Sequence, residues 1–543
     1  MVARAAKRVR ITGFPLGRAG TRRPSAGRAQ VPPHCYPTRP GRRQSHFGHN
    51  RAIVYGRWRR PRAGPQQPTA RRPAPAARRR PLRPCRTGSP GPDRHSGAVT
   101  SERDDASGEP TPDGTSPRPD PAGDEEAQVI VVGAGPAGSA AAAHLARAGV
   151  DVLLLEKSGF PREKVCGDGL TPRGVRQLVR MGIDVNAPGW MRNKGMRWVC
   201  EGREAELDWP RLGSHPDFGL TRSRYDFDEL LAAHARAAGA RLRTQVKVTA
   251  PLCDRAGNIT GVSASRGPGR EPVRYRAPLV VAADGASART ALALGLERDT
   301  ALPVARAARR YYRSEARTHD PYLELWADLR CPGTGLDLPG YGWVFPLGDG
   351  RINIGLGALP RRGRRPVDLR AALEHWLPRL PAHWGVHEES ADSPLRSAPL
   401  PMGLNRRPQY RRGLLLVGDS AGMVSPWSGE GIAQALEAGE AAAETIALAL
   451  ARPTGARREH ALHQYPAEIR RRWGRYYRLG TLAGDLVLTR YGYRPLLHPR
   501  VMASPPLLRA LARLLTHAAD EPAQDGIDAV VHALLRAVPA PRR

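Results

Sequence analysis

Clear hydrophobic periodicity begins at residue 127. The run AQVIVV is short, apolar and β-branched, the pattern of a strand covered on both faces. It passes through GAGPAG into an Ala-rich stretch of helical length and then into a second apolar run, VDVLLLEKS. Two later segments repeat this strand-to-helix design. APLVVAADGASARTALAL predicts a strand ending at Asp284 and Gly285, with Ser287 and Arg289 opening a helix. RGLLLVGDSAGMVSPWSGEGIAQALEAGEAAAETIALAL predicts a strand ending at Gly418 and Asp419, then a loop and a long helix. Between them, YLELWADL and GYGWVFP read as strands of a second sheet. Beyond residue 451, EIRRRWGRYYRLGTLAGDLVLTRYGYRPLL and SPPLLRALARLLTHAAD read as helices with basic, aromatic and leucine faces.

Upstream of residue 127 the pattern is absent, and composition explains why. Residues 1–100 hold 24 Lys and Arg against the single acid Asp93, with Pro and Gly throughout. Such a leader cannot bury enough surface to offset chain entropy and is expected to be disordered. Residues 101–126 then turn acidic, as a linker. The abrupt change at SGAVTSERDD leads us to expect the native start at Val99, read from an alternative start codon. This matters for charge. The net +34 suggests a nucleic-acid protein, but most of the excess lies in the leader, and residues 127–543 retain +18. No nucleic-acid partner is therefore expected of the folded part. No signal peptide and no clean spanning run are read, so a cytoplasmic protein is expected. The six cysteines are scattered without a CxxC pair, so neither a metal site nor a disulfide framework is expected.

The first glycine motif carries chemistry. In a strand–GxGxxG–helix unit the first glycine (Gly133) permits a tight turn, the second (Gly135) admits a pyrophosphate, and the third (Gly138) lets helix pack on strand. Pro136 and Ala137 complete the turn, and the helix start offers free N–H groups to phosphate. Glu156, 23 positions after Gly133, stands where a ribose-binding carboxylate is expected, with Lys157 beside it. Taken singly, the later ADG and GDSAG turns are ordinary capped turns; their order behind the glycine motif gives them meaning.

GAGPAG, ADG and GDSAG in sequence resemble the FAD-dependent oxidoreductases of the para-hydroxybenzoate hydroxylase type. PREKVCGDGLTPRG, RSRYDFDELLAAHA, PGYGWVFP and SPWSGEGI resemble the geranylgeranyl reductase family within that group. MRNKGMRW, ELDWP and YYRLGTLAGDLVLTRYGYRPLLHP look most like its actinobacterial menaquinone reductases, over roughly residues 127–520. The resemblance implies an α/β fold: a Rossmann-like FAD-binding domain with an inserted antiparallel-sheet substrate domain and a C-terminal helical region. The expected layout is a leader and linker at 1–126, then a discontinuous FAD domain at 127–450. The substrate sheet is inserted at about 190–215 and 300–400, and the helical region covers 451–543.

It also implies site residues. Gly133, Gly135, Pro136, Ala137, Gly138, Glu156 and Lys157 would hold the ADP half of FAD. Arg224 would reach the cofactor from its helix and Val248 would offer backbone to the adenine. Asp284 and Gly285, with Gly418 and Asp419, would meet the central part, and Asp419 the ribityl or ribose-side oxygens. Pro426, Gly429, Gly431 and Ile432 would present the pyrimidine end of the flavin with a helix start, which favours the anionic reduced ring. Cys166 and Gly167 would cross the flavin face. Three readings of Cys166 stand: a packing residue, a redox or gating thiol, or a proton donor. Tyr341, Trp343 and Phe345 would line the substrate channel, with Tyr341 and Cys166 as catalytic candidates.

The activity implied is FAD-dependent saturation of one isoprenoid double bond of a polyprenyl lipid, most specifically in a menaquinone side chain. Geranylgeranyl diphosphate or another prenyl lipid is the alternative substrate. A flavin monooxygenase or halogenase, or a non-catalytic prenyl-lipid-binding flavoprotein, are the rival classes. Electrons would come from NADPH or a reduced carrier, since no second GxGxxG is present. Because a long quinone tail stays in the bilayer, an anionic membrane surface is the expected partner, met from the inner face.

Overall fold

The run that reads as a doubly covered strand forms one. In the computed structural model Val129–Val132 is buried along its whole length and pairs in parallel with Val152–Leu155 on one side and Leu279–Ala282 on the other. Leu414–Leu416 extends the sheet beyond Leu279–Ala282, Arg241–Arg243 lies outside Val152–Leu155, and the antiparallel Tyr410–Arg411 closes the far edge. These core strands are apolar without alternation because both faces are covered. The structure describes residues 125–539 except 361, 362, 364 and 521, together with Arg8–Val9 at an edge of the second sheet. All of these belong to one unit of the chain. Apart from Arg8–Val9, the leader before residue 125, its transition to the acidic linker and the expected start at Val99 lie outside the described residues.

Small side chains fix how the helices sit. Pro136–Arg147 packs on Ile432–Leu450 through alanine and glycine. A Cβ on Gly439 would stand 2.4 Å from the Ala137 carbonyl oxygen, so the two backbones approach as closely as they do only because both surfaces are small. Both helices therefore aim their N-termini at the same end of the parallel sheet. The ADG turn is followed by one 3-10 turn, Gly285–Ser287, and a helix of only five residues, Arg289–Ala293.

The second sheet is built from two stretches of chain. Gly195–Cys200 and Arg203–Asp208 form a hairpin, and Val304–Arg313, Tyr322–Trp326, Gly340–Pro346, Arg351–Ala358 and Arg396–Pro401 supply the rest. Pairing is antiparallel among the later strands, as expected of the inserted sheet, and Gly195–Cys200 joins it by running parallel to Tyr322–Trp326. The reason is topological: the hairpin arrives from an earlier segment and docks on an existing edge instead of following a tight turn.

Strand alternation decides which side chains reach the cavity between the sheets. In Gly340–Pro346, Val344 points into a core with Ile352, Ile354 and Trp376, under the helix Leu369–Trp376. A Cβ at Gly342 would collide with Trp376 at 2.7 Å, so this face is filled. Tyr341, Trp343 and Phe345 occupy the other face, towards the first domain.

The C-terminal region closes the assembly. Tyr465–Ala483 buries Tyr465, Ile469, Trp473, Tyr476, Tyr477 and Gly480, a stripe at helical spacing. Each of the large side chains contributes ~2 kcal/mol by burial. Three hydroxyls tie the helix down: Tyr465 donates to the Leu416 carbonyl at 2.8 Å, Tyr477 to that of Met423 at 2.6 Å, and Tyr476 to that of Leu515 at 2.8 Å. Among the described residues no helix is long and apolar enough to cross a membrane.

Candidate functional site

A cavity of about 650 Å³ lies where the carboxyl ends of the parallel strands, the aromatic face of the second sheet and the C-terminal helices meet. Every residue expected in the site lines it except Gly138. That exception has a physical cause. A Cβ on Gly138 would fall 1.8 Å from the Gly133 carbonyl oxygen, so this glycine serves the contact between helix and turn. Gly133, at φ +101°, faces the Ala283 carbonyl at a distance that would leave 2.5 Å to a Cβ. Gly135 is the open one, with nothing nearer to its absent Cβ than the Arg162 guanidinium at 3.9 Å.

The helix that starts at Pro136 has no side-chain cap, so its first N–H groups face the cavity unspent. Arg162 stands by this turn, and Lys157, Lys164, Lys247 and Arg289 also line the cavity. Free N–H groups, an open glycine and a nearby cation fit a dinucleotide pyrophosphate. At the opposite end, Gly429 has φ +70°, and Gly431 begins the helix Ile432–Leu450, again without a side-chain cap. Ile432, Pro426 and Gly418 complete that wall. These are the surroundings an anionic reduced flavin ring needs, so the residues present fit FAD.

Ion pairing revises some of the expected roles. Glu156 accepts from the main-chain N–H groups of Ala134 at 3.0 Å and Ser158 at 3.1 Å, and Arg162 approaches it at 3.4 Å. Arg162 then pairs with Asp228 at 2.9 Å. Asp228 is wholly buried and takes Arg224 in two bonds of 2.6 and 2.9 Å. Arg224 thus lines the cavity, but its guanidinium is held by Asp228 and is not extended freely towards a ligand. Burial works against its charge, yet Asp228 and then Cys166 outweigh this and push its pKa above the ordinary range. Arg162, which the sequence reading did not single out, is the more forward cation.

Asp284 is revised in the same way. One carboxylate oxygen accepts the Thr290 N–H at 2.9 Å and the other the Ser420 hydroxyl at 2.9 Å. It joins the ADG turn to the GDSAG turn, with Gly285 beside it in the wall. Asp419 remains partly exposed, 3.8 Å from Lys164. Val248 sits on the strand Val246–Cys253 and lines the cavity.

The loop carrying Cys166 and Gly167 is held by the second sheet. Asn353 Nδ2 donates to the Cys166 main-chain oxygen at 2.8 Å and to Asp168 at 2.7 Å, while its Oδ1 accepts from the Trp343 indole at 2.9 Å. Tyr311 donates to Asp168 at 2.6 Å, and Arg309 pairs with Glu163 at 2.5 Å. Burial raises the Asp168 carboxyl to about 6, with Tyr311 and Asn353 pulling the other way. Lys164 turns to Asp419, so the cation beside the Cys166 thiol is Arg224. A Cβ on Gly167 would stand 3.2 Å from the Phe345 ring and 3.3 Å from the Trp343 indole nitrogen. The loop therefore lies flat on these two aromatics.

Trp343 is nearly buried, with its N–H spent on Asn353; Tyr341 and Phe345 keep more surface open to the cavity. Tyr341 donates its hydroxyl hydrogen to the Ser428 carbonyl, and burial pushes the phenol pKa above the ordinary range. That geometry offers the ring, not the hydroxyl proton, to a ligand. Its ring meets Tyr493 edge-on at 5.3 Å. Trp198, Trp209, Leu323, Leu325 and Leu515 continue the apolar wall. Glu430, between the two glycines of the flavin end, also lines the cavity and was passed over in the sequence because its neighbours' N–H groups took the attention.

Comparison with known proteins agrees with this architecture. The family model for an FAD binding domain matches residues 126–477. The chain is similar to a menaquinone reductase of Mycobacterium tuberculosis, 36% identical over 409 residues that span 74% of this chain and 94% of that protein. It is 30% identical over 339 residues to digeranylgeranylglycerophospholipid reductase 2 of Methanopyrus kandleri, covering 60% and 78% of the two chains. Among solved structures, a geranylgeranyl bacteriochlorophyll reductase-like protein of Thermoplasma acidophilum superposes with a TM-score of 0.58 at 24% identity, over 76% of this chain and 96% of that one.

Proposed function

Since the chain belongs to the geranylgeranyl reductase family of FAD-binding oxidoreductases, we propose that it saturates an isoprenoid double bond in the side chain of a menaquinone-type quinone. The single observation that carries this reading is the juxtaposition of Tyr341 and Phe345, with their faces open, against the glycine-rich flavin end of one continuous cavity. Bound FAD would supply a hydride, which carries both electrons of the reduction. The protein's part is to hold an unpolarised alkene beside the ring, exclude water and stabilise positive charge as it develops at the tertiary carbon. Apolar walls suit the first two tasks and aromatic faces the third.

The substrate's tail stays in the bilayer, so we place the enzyme at an anionic membrane surface, reached from the cytoplasmic side. Leu482, Leu486, Tyr491 and Leu507 are exposed at 44, 67, 54 and 53% in the C-terminal segment whose Tyr493 and Leu515 line the cavity. Arg490 and Arg509 accompany them in sequence. Apolar side chains with interspersed arginine suit the headgroup boundary.

The test is anaerobic. Photoreduced, FAD-loaded protein is mixed with menaquinone, and flavin reoxidation is followed beside the mass of the quinone. Reoxidation with gain of two hydrogens in the side chain is expected. Reoxidation only by geranylgeranyl diphosphate, or only by oxygen with oxygenated product, overturns the menaquinone reading.

A further inference from the structure

The C-terminal stretch YYRLGTLAGDLVLTRYGYRPLLHP brings Tyr493 to the cavity wall and buries it. Its hydroxyl donates to the Trp427 carbonyl, and the Tyr341 hydroxyl, coming from the second sheet, donates to the next carbonyl along, that of Ser428. The two rings stand at 88° with centroids 5.3 Å apart. Both peptide units are also held from behind. The Ser428 N–H, in one plane with the Trp427 carbonyl, meets the Ser425 hydroxyl at 3.4 Å, and the Gly429 N–H, in one plane with the Ser428 carbonyl, donates to the Ser425 carbonyl at 3.0 Å. A planar unit bonded at both its donor and its acceptor is not free to turn. Beyond it come Gly431 and the start of Ile432–Leu450, which has no side-chain cap and leaves its first N–H groups for a ligand. Their direction is inherited from the two fixed peptides.

Tyr493 is itself fixed from the second sheet. Gly492 before it has φ +60°, and a Cβ there would fall 2.5 Å from the Leu338 carbonyl oxygen. Arg494 after it pairs with Asp337 at 3.1 Å and with Glu201. Asp337 and Leu338 lead into the strand Gly340–Pro346 that carries Tyr341. The backbone at 492–494 thus belongs to the substrate side while the phenol reaches the flavin-end loop. Burial pushes that phenol well above its ordinary range, so the hydroxyl keeps the hydrogen it donates.

We infer that Tyr493 is a positioning residue for the flavin: acting through the Trp427 carbonyl, it holds the donors at the start of Ile432–Leu450 in the direction that favours the reduced, anionic ring over the oxidised one. The inference rests on the FAD site and not on the choice of substrate. Without the hydroxyl, the Trp427 carbonyl loses its partner and its peptide is free to turn. The donors then lose their alignment with a negative charge that the reduced ring carries and the oxidised ring does not. The oxidised ring, being neutral, loses less, so the difference appears in the potential.

The test compares wild type, Tyr493→Phe and Tyr410→Phe. The last removes a buried hydroxyl that bonds Glu459 at 2.7 Å and is no part of the cavity wall, so it reports what losing a tyrosine hydroxyl does to the fold alone. In apoprotein, hydrogen exchange followed by mass spectrometry should be faster over residues 425–431 in Tyr493→Phe and unchanged there in Tyr410→Phe. In FAD-loaded protein, Tyr493→Phe should bind the reduced ring about tenfold less tightly relative to the oxidised one, the worth of a hydrogen bond to a charged group. Spectroelectrochemical titration reads this as a midpoint potential lower by about 30 mV for the two-electron couple. Tyr410→Phe should keep the wild-type potential. An unshifted potential in Tyr493→Phe overturns the positioning role, with or without faster exchange, and so does an equal shift in Tyr410→Phe. Neither readout uses a substrate, so failure of the menaquinone reading would leave this result standing, and failure here would leave that reading untouched.

Discussion

Asn353 donates from its side chain to the main-chain oxygen of Cys166 at 2.8 Å, so one strand of the aromatic sheet fixes the loop that carries the thiol. The same amide reaches Asp168 and receives the Trp343 indole, which makes it a three-way junction with no polar atom left over. Asn353→Ala should leave those partners unpaired and cost ~2–4 kcal/mol of stability. Calorimetric melting checks the loss, and faster labelling of Cys166 by a thiol reagent checks that the loop is freed.

The three glycines of the first turn should fail in different ways. Gly138→Ala places a methyl group 1.8 Å from a carbonyl oxygen and should destabilise the protein by ~1–3 kcal/mol even without cofactor. Gly135→Val meets nothing nearer than the Arg162 guanidinium, so apoprotein melting should change little while FAD affinity falls about tenfold or more. Paired melting curves and flavin titrations separate the two cases.

Tyr341 should act through its ring. Tyr341→Phe loses the bond to Ser428 and should cost no more than about tenfold in kcat/KM, the worth of one neutral hydrogen bond. Tyr341→Ala removes the wall itself and should cost on the order of 100-fold, from lost positioning of the alkene. Steady-state kinetics with a single quinone settles the comparison; equal losses would return the hydroxyl to the chemistry.

Asp168 gives the fold a pH dependence of definite sign. Its folded pKa of about 6 lies above the ordinary 3.8, so the native state binds the extra proton between these values. Its contribution, about 3 kcal/mol, is full below pH 3.8 and is lost as pH rises through about 6. The stability difference between wild type and Asp168→Asn, from urea unfolding at a series of pH values, should change across that window and be flat above pH 7.

Membrane attachment should be electrostatic and apolar together. Pelleting with anionic vesicles should weaken as salt rises, and Leu486→Glu should weaken it further at low salt. Indifference to vesicle charge would remove the membrane from the scheme.

Much of the cofactor end was legible in the sequence because glycine reports a backbone constraint that stays local. Gly133, Gly135 and Gly138 declare a turn within a few residues of one another, and the apolar runs on either side declare covered strands. GYGWVFP reads as a strand, and it was the family resemblance, not the pattern alone, that put its three aromatics on the substrate side. What stayed hidden were pairings across long separations. Glu430 and Thr171 lie 259 positions apart, Asn353 and Cys166 187 apart, and Arg162 meets Asp228 from a loop without periodicity. Arg224 and Asp284 were assigned outward roles because their own segments contain nothing that reveals an inward partner. The roles of both acids and bases in this cavity depend on which neighbour the fold brings, and a linear pattern does not record that.

The cavity draws its two halves from different parts of the chain. The nucleotide half comes from residues around the three glycine turns; the apolar half comes from the inserted sheet together with Tyr493 and Leu515 of the C-terminal helices. Retention of the yellow prosthetic group and the choice of hydrocarbon guest can consequently drift apart over evolution. A chimera that exchanged only the inserted strands and terminal helices would inherit its redox centre from one parent and its appetite from the other.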